Sequence, residues 1–492
     1  MRRRLKNLLI EMIAVILSSQ FIEINLQVEF GKILPIELPL FNKTLFDHQL
    51  KSLEGISTEV FITLPKGYSP HLVEFENVIF VDYDLSLLDL LRDVSKRFKQ
   101  EESLYIYYGD TLILNSGDLL PDINYAFIQR PKFQYEWAST ALNGYVYAGG
   151  FILKNELLYR CINGASDFKA FLENLNNSAL VENYTDFSWF DFGHPFTYYD
   201  SRKQFLESRS FNRLVYKNGY LKKSSSDILK VWSEYNWLKN AKKVLSNNVP
   251  QVKGFNIKAF EACYEVEYIN KAVLSDVFVF GKQPPELIIE ILKSIKVQLD
   301  ILVEKSSSFI NSDYSIPNKF INLKLKERES DIIQLFLNDD QALIKIKNYI
   351  IENLDYFENK SYTVVAMHGD LCFSNIIYDF SLFSPIFIDP RGYLSREEGF
   401  SFSGPKVYDI LKLAHSYVGG YDFVITGYYN NNFFEIRNLN ERLTQFIQIF
   451  EIERAELIMG MKNLFLSMLP LHKESKERIS GFLFILNKLD QL

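Results

Sequence analysis

Cysteine is nearly absent: the 492 residues hold three, Cys161, Cys263 and Cys372, far apart and odd in number. That excludes a disulfide framework and any CxxC metal site, and a reducing, cytoplasmic setting is expected. Glycine (22) and proline (15) are scarce, which excludes a collagen-like or linker-like chain. Positive charge is not in excess: 54 Lys and Arg face 61 Asp and Glu, for a net charge of −7. No nucleic-acid partner is therefore expected through bulk charge. No apolar run reaches the roughly 18–20 residues that a membrane span requires. Met1–Lys6 is basic and the stretch to Ser19 mostly apolar, but Glu11 interrupts it and no small-residue cleavage pattern follows. It reads as a lead-in to a buried strand, Met12–Leu17. What is present, 47% hydrophobic and 23% charged residues, belongs to a folded chain of two large or about three smaller domains.

The texture changes near residue 206. Before it, apolar runs (Met12–Leu17, Glu59–Leu64, Val78–Val81, Leu104–Tyr108, Ala126–Ile128, Tyr145–Leu153) alternate with helical patterns (Leu45–Leu53, Leu85–Phe98, Asp167–Asn174). Such interleaving predicts crossover units and a parallel or mixed sheet. After it, Asn212–Tyr216 and Gly219–Lys223 flank an Asn-Gly turn and predict a hairpin. A helix over Asp227–Lys243 and strands near Ala259–Tyr268 follow. From Pro284 the pattern is helical, with a loop at Ser306–Pro317 and one strand-rich island, Thr363–Tyr393. The predicted boundary falls between Leu206 and Phe211.

That island holds Met367-His-Gly-Asp-Leu-Cys-Phe-Ser-Asn375, then Ile386-Phe-Ile-Asp389-Pro-Arg-Gly392. Phosphoryl transfer needs a carboxylate to orient the attacking hydroxyl and oxygen ligands for a metal that neutralises phosphate charge. Asp370 and Asn375 have the Asp-x4-Asn spacing that serves those two tasks. Asp389, ending an apolar strand, is the natural second ligand for Mg2+. His-Gly-Asp-x4-Asn with the later Ile-Asp resembles the aminoglycoside phosphotransferase and choline kinase family, from about Phe211 to the C-terminus. Val407-Tyr-Asp-Ile-Leu-Lys-Leu413 is similar to that family's helix after the metal loop. The resemblance implies a two-lobed, protein-kinase-like fold, with Asp370 as catalytic base and ATP as co-substrate. It also implies a phosphate-binding lysine and a helix glutamate in the small lobe: Lys223, with Lys222 its rival, and Glu234. Strand neighbours face opposite ways, so only one lysine can enter the cleft. Glu267-Tyr-Ile269 resembles the hinge that reads adenine through backbone groups.

The first 206 residues resemble a sugar-phosphate nucleotidyltransferase. The opening strand, Tyr107-Tyr-Gly-Asp110, Tyr147-Ala-Gly-Gly-Phe151 and Trp189-Phe-Asp191-Phe-Gly-His-Pro195 follow that family's order. The resemblance implies Asp110 and Asp191 as a metal pair, Lys32 on phosphate, and CTP or another NTP as substrate. The loop expected to be glycine-rich with an arginine reads Ser18-Ser-Gln-Phe-Ile-Glu-Ile-Asn25 and contains neither. Two readings stand: a divergent active transferase, or a degenerate domain kept for packing, assembly or ligand sensing.

The expected architecture is α/β plus α+β. Residues 1–206 form a Rossmann-like mixed-sheet, nucleotidyltransferase-like domain. Residues 207–492 form a kinase-like domain with a small lobe over about 207–280 and a large lobe over about 281–492. The expected function is phosphorylation of a hydroxyl on a sugar or amino alcohol. Nucleotidyl transfer to that product, for surface polysaccharide precursors such as capsule, would be the step after it. Glu397 and Glu398 are read as a solvated turn or as acids for a cationic acceptor. The competing reading is a non-catalytic nucleotide-binding or assembly protein, and oligomeric state is left open.

Overall fold

The computed structural model describes residues 12–72, 75–116, 119, 123–135, 144–205, 213–258, 260–306, 320–358, 360–392, 402–428 and 432–492. Contacts divide the chain into two units, residues 1–202 and 203–492. The predicted boundary at 206/207, Ala259, most of the predicted loop at 306–317, and Glu397 and Glu398 lie outside the described residues.

The first unit is built on a seven-stranded sheet. Its strand order is Val181–Tyr184, Asn124–Gln129, Val146–Lys154, Ser103–Tyr108, Met12–Leu17, Glu59–Pro65, Val78–Val81. All pairings are parallel except those of Val146–Lys154, which runs antiparallel to both neighbours. Met12–Leu17 is an unbroken apolar run because both faces of the sheet are covered. Met12, Ala14 and Ile16 enter one core with Leu34, Ile36 and Phe127, while Val15 and Leu17 enter the other with Leu91, Phe151 and Leu158. Val181–Tyr184 reads Val-Glu-Asn-Tyr, too polar to be predicted, and survives as a half-exposed edge strand. Helices Ile24–Phe30 and Asn155–Asn163 are likewise additions to the predicted elements.

The second unit opens with a four-stranded antiparallel sheet in the order Arg213–Lys217, Tyr220–Ser225, Glu261–Glu267, Val252–Lys258. The last of these is irregular, with a register shift between Lys253 and Asn256 that hides its alternation in the sequence. The helix Ile228–Leu245 begins at Asp227, whose carboxylate accepts the Lys230 N–H (3.2 Å). Helices then dominate, from Leu274–Phe280 and Pro285–Glu304 to Lys476–Leu489. The strand island appears among them as Val364–Ala366, Ile376–Asp379 and Ser384–Phe387. A sheet-based small lobe with a helical large lobe fits the kinase-like expectation for this part of the chain. Among the described residues no helix is long and apolar enough to cross a membrane.

Candidate functional site

In the second unit, the strand Tyr220–Ser225 decides between the two lysines. Lys222 is exposed, whereas Lys223 is buried and paired in register with Tyr264. The Lys223 ammonium lies 2.7 Å from Glu234 on the neighbouring helix and 3.1 Å from Asp389. Tyr264 donates its hydroxyl to the same Glu234 carboxylate (3.2 Å). Burial acts to lower the Lys223 pKa, but Asp389, Tyr264 and Glu234 reverse that, so the amine stays charged.

Asp389 reaches this cluster from the end of a hairpin. Ile376–Asp379 pairs antiparallel with Ser384–Phe387, with Ile376 opposite Phe387. The residues just outside that pair are thereby brought side by side, and the Ile388 N–H donates to Asn375 O (3.0 Å). Asp389 thus comes 14 positions after Asn375 (389 − 375), about the length of one hairpin. Asp389 itself has φ +53, the left-handed region that a residue with a Cβ seldom occupies. Partial burial acts to raise its carboxyl, yet Lys223 prevails and holds it below the ordinary value.

Asp370 is held from three directions. The Asn375 amide donates to its backbone carbonyl (2.7 Å) and to its Oδ2 (3.2 Å), leaving Asn375 Oδ1 for another partner. Lys412, from the helix Lys406–Tyr417, sits 2.8 Å from Oδ1. The preceding turn is fixed by Asp409, which accepts the N–H groups of His368 (2.7 Å) and Gly369 (2.8 Å). His368 is neutral, its pKa lowered to about 4 by burial. Its Nδ1 accepts the Asp370 N–H, so Nε2 carries the proton and donates to Ile388 O (2.9 Å). Burial pushes the Asp370 carboxyl upward, but Lys412 and then Lys324 overcome it and hold Asp370 well below the usual carboxylate range.

Asn375 and Asp389 present amide and carboxylate oxygens, the donor set that suits Mg2+ rather than a softer metal. Among the described residues no cluster of three or more His, Cys, Asp or Glu side chains forms a metal cage. Glu267 is exposed at a strand end, where its N–H donates to Gln251 O (2.8 Å) and its carboxylate accepts the Gln251 N–H (3.0 Å). Ile269 lies two residues on, its carbonyl accepting from Lys271 N (3.0 Å). Glu267 thus has no N–H left for a base.

In the first unit a cavity of about 400 Å3 opens where Met12–Leu17 and Ser103–Tyr108 end. Chain order reverses between those two strands, and such switch points are where open α/β sheets bind ligands. Gln49 clamps the turn there, its amide donating to the carbonyls of Tyr108 (3.2 Å), Gly109 (3.1 Å) and Thr111 (2.7 Å). Asp110 and Asp191 meet across Gly193. A Cβ on that glycine would lie 2.7 Å from Asp110 Oδ2 and 3.3 Å from Asp191 Oδ1. Asp191 also accepts from Tyr135 OH (2.7 Å) and the Gly193 N–H (2.8 Å). Burial, and then the Asp191 charge, raise the Asp110 pKa to about 6. The described lining includes Tyr108, Tyr147, Trp189 and His194 but neither Lys nor Arg. Lys32 is exposed and outside that lining, its ammonium 4.5 Å from the Phe21 ring centre and 5.3 Å from that of Tyr83.

Sequence reasoning missed Gln49 and Lys324, and quoted Asp409 and Lys412 only within the stretch Val407–Leu413, without a role of their own. A signal existed for two of them: Asp409 and Lys412 are charges set among apolar neighbours in the run Val407–Leu413 of a buried helix.

No family model matches the chain, and no curated protein matches it. Solved structures similar to its C-terminal part include a thermostable mutant of the aminoglycoside phosphotransferase APH(4)-Ia without ligand. That match has 12% identity and a TM-score of 0.39 and covers 59% of this chain and 97% of the other. Another is the GDP and kanamycin complex of APH(2″)-IIIa (13%, TM-score 0.41, 58% and 92%). A third is a putative fructosamine-3-kinase from Haemophilus somnus 129PT (14%, TM-score 0.32, 57% and 90%).

Proposed function

We propose that residues 203–492 are an ATP- and Mg2+-dependent kinase for a hydroxyl on a small molecule. The observation that carries this is the convergence of Lys223, Glu234 and Asp389, beside Asp370 and Asn375, from four separate stretches of chain. Lys223, fixed by Glu234, grips the phosphates of ATP. Asn375 Oδ1 and Asp389 would hold Mg2+, which neutralises charge on the transferring phosphoryl group. Asp370, ionised at neutral pH, accepts a hydrogen bond from the acceptor hydroxyl and aims its oxygen at the γ-phosphorus. As the new P–O bond forms, the bond to the β–γ bridging oxygen breaks, ADP leaves with that electron pair, and the hydroxyl proton passes to Asp370. A carboxylate held so acidic by two lysines is a weak base, so orientation comes first and proton transfer late. That suits a loose phosphoryl transition state. The test is a screen of hydroxyl acceptors with ATP and Mg2+, reading ADP release. No acceptor-dependent ADP from a broad panel would refute the reading and favour a non-catalytic nucleotide binder.

The first unit has a second reading, nucleotidyl transfer onto the kinase product as a step toward surface polysaccharide precursors. The Asp110–Asp191 pair at the switch point favours it. The described lining, without Lys or Arg, favours the degenerate alternative, because a triphosphate needs cations or clustered N–H donors. Pyrophosphate released from CTP on addition of the phosphorylated product would establish the transferase.

A further inference from the structure

Among the described residues, Asp370 has more than one lysine near it. Lys412 already neutralises it at 2.8 Å. Four residues before Lys412 on the same helix face, Tyr408 accepts a hydrogen bond from Lys324 Nζ (2.9 Å), on the helix Phe320–Gln334. That hydroxyl is the single hydrogen-bond partner of the Lys324 ammonium, which makes no ion pair with a carboxylate of the described residues. Arg391 is anchored beside them, its N–H donating to His368 O (2.9 Å). Its Cβ lies 3.0 Å from where a Cβ on Gly369 would stand. Arg328, on the Lys324 helix, donates to Ser467 O (2.6 Å). Among the described residues, acids near these cations include Asp370 and Asp409, with Glu327 and Asp331 beside Arg328; Arg391 has partners of its own. Asp409 is occupied by two backbone N–H groups. Burial lowers the Lys324 pKa, with Arg391 and Lys412 adding to it and Tyr408 and Asp370 opposing it, and Lys324, Lys412 and Arg391 hold Tyr408 below its ordinary value against burial. A half-buried ammonium beside Lys412, bonded to a tyrosine hydroxyl and to no carboxylate of the described residues, is a place where an anion gains a charge-assisted contact.

We propose that the acceptor carries an anionic group, a phosphate or carboxylate, which binds Lys324 beside Tyr408 while Asp370 orients its hydroxyl. This rests on the kinase reading and narrows it: the acceptor is an acidic or phosphorylated sugar or polyol, not a cationic amino alcohol. A γ-phosphate of ATP has the same chemistry, and the experiment separates the two sources.

ADP release is measured with matched acceptors: hexoses, their 6-phosphates, their uronic acids and their amino sugars. Wild type should favour the anionic members by roughly 10- to 100-fold in kcat/KM, the worth of one charged contact. Lys324→Met should erase that preference with KM for ATP unchanged, and Lys324→Arg should retain it. Preference for neutral or aminated acceptors, or a rise confined to the KM for ATP in Lys324→Met, would overturn the proposal. Calorimetric binding of hexose 6-phosphate without ATP, to wild type and to Lys324→Gln with its folding checked by circular dichroism, keeps the two readings apart. Binding that needs Lys324, with no turnover on any acceptor, would sink the kinase and leave the anion site. Turnover on neutral acceptors, with no sugar-phosphate binding, would do the reverse.

Discussion

Asp110 and Asp370 are both aspartates at the end of a short apolar run, and burial is the largest influence on each, pushing both carboxyls upward. They end far apart all the same. Beside Asp110 the next charge is Asp191, and its pKa rises to about 6. Beside Asp370 the next charges are Lys412 and Lys324, and its pKa falls well below the carboxylate range. The second neighbour, not desolvation, decides what each carboxyl can do. Asp370 is a permanent anion flanked by cations, fit for phosphate chemistry. Asp110 is half-neutral near pH 6, in a cavity whose described lining holds no Lys or Arg.

The largest effect that would break this contrast is at Asp370. Asp370→Asn keeps an oxygen for Lys412 but removes the proton acceptor, so acceptor-dependent ADP release should fall at least about 100-fold with ATP binding little changed. Equal turnover would remove Asp370 from the mechanism. Next comes the buried pair Lys223–Glu234. Lys223 and Glu234 are both about nineteen-twentieths buried, with side-chain exposures of 6% and 3%. Removing one partner of such a pair costs on the order of 3–5 kcal/mol. Glu234→Ala should therefore lower the melting temperature of this unit, and an unchanged melt would show that Asp389 alone holds Lys223.

Much of the second site was legible in the sequence because its chemistry is packed into neighbouring residues. His368 to Asn375 lie in one short loop that ends in the 3₁₀ turn Phe373–Asn375, and Asp389 comes two residues after the return strand Ser384–Phe387 of the next hairpin. Strand alternation chose Lys223 over Lys222 as soon as the burial of one face was known. Lys324 was not legible, because Phe320–Gln334 is rich in polar residues all round and one lysine there looks like any other. The first unit was readable as alternating strands and helices. Its switch point was not, because the place of Met12–Leu17 between Glu59–Pro65 and Ser103–Tyr108 is set by packing, not by local pattern.

A smaller, pH-dependent effect sharpens the contrast from the other side. The folded Asp110 pKa of about 6 lies above its ordinary 3.8, so the native state prefers the protonated form. That contribution to stability is complete below about pH 3.8 and is lost as pH rises through 6. Asp110→Asn should thus stabilise the first unit at pH 8, by up to about 3 kcal/mol, and the gain should vanish near pH 4. A gain independent of pH would contradict the Asp110–Asp191 repulsion. The smallest effect belongs to Lys222, exposed on the opposite face from Lys223. Lys222→Ala should change stability by no more than about 0.5 kcal/mol and leave the KM for ATP intact. A large rise in that KM would reassign the phosphate lysine.

The contrast is tested most directly by titrating ATP and CTP, each with Mg2+, into the full-length protein and its Asp389→Ala and Asp110→Ala variants. Nucleotide binding should weaken strongly in Asp389→Ala and stay at the wild-type level in Asp110→Ala, as the metal role proposed for Asp389 requires. Binding lost in Asp110→Ala, or indifferent to Asp389→Ala, would contradict that assignment.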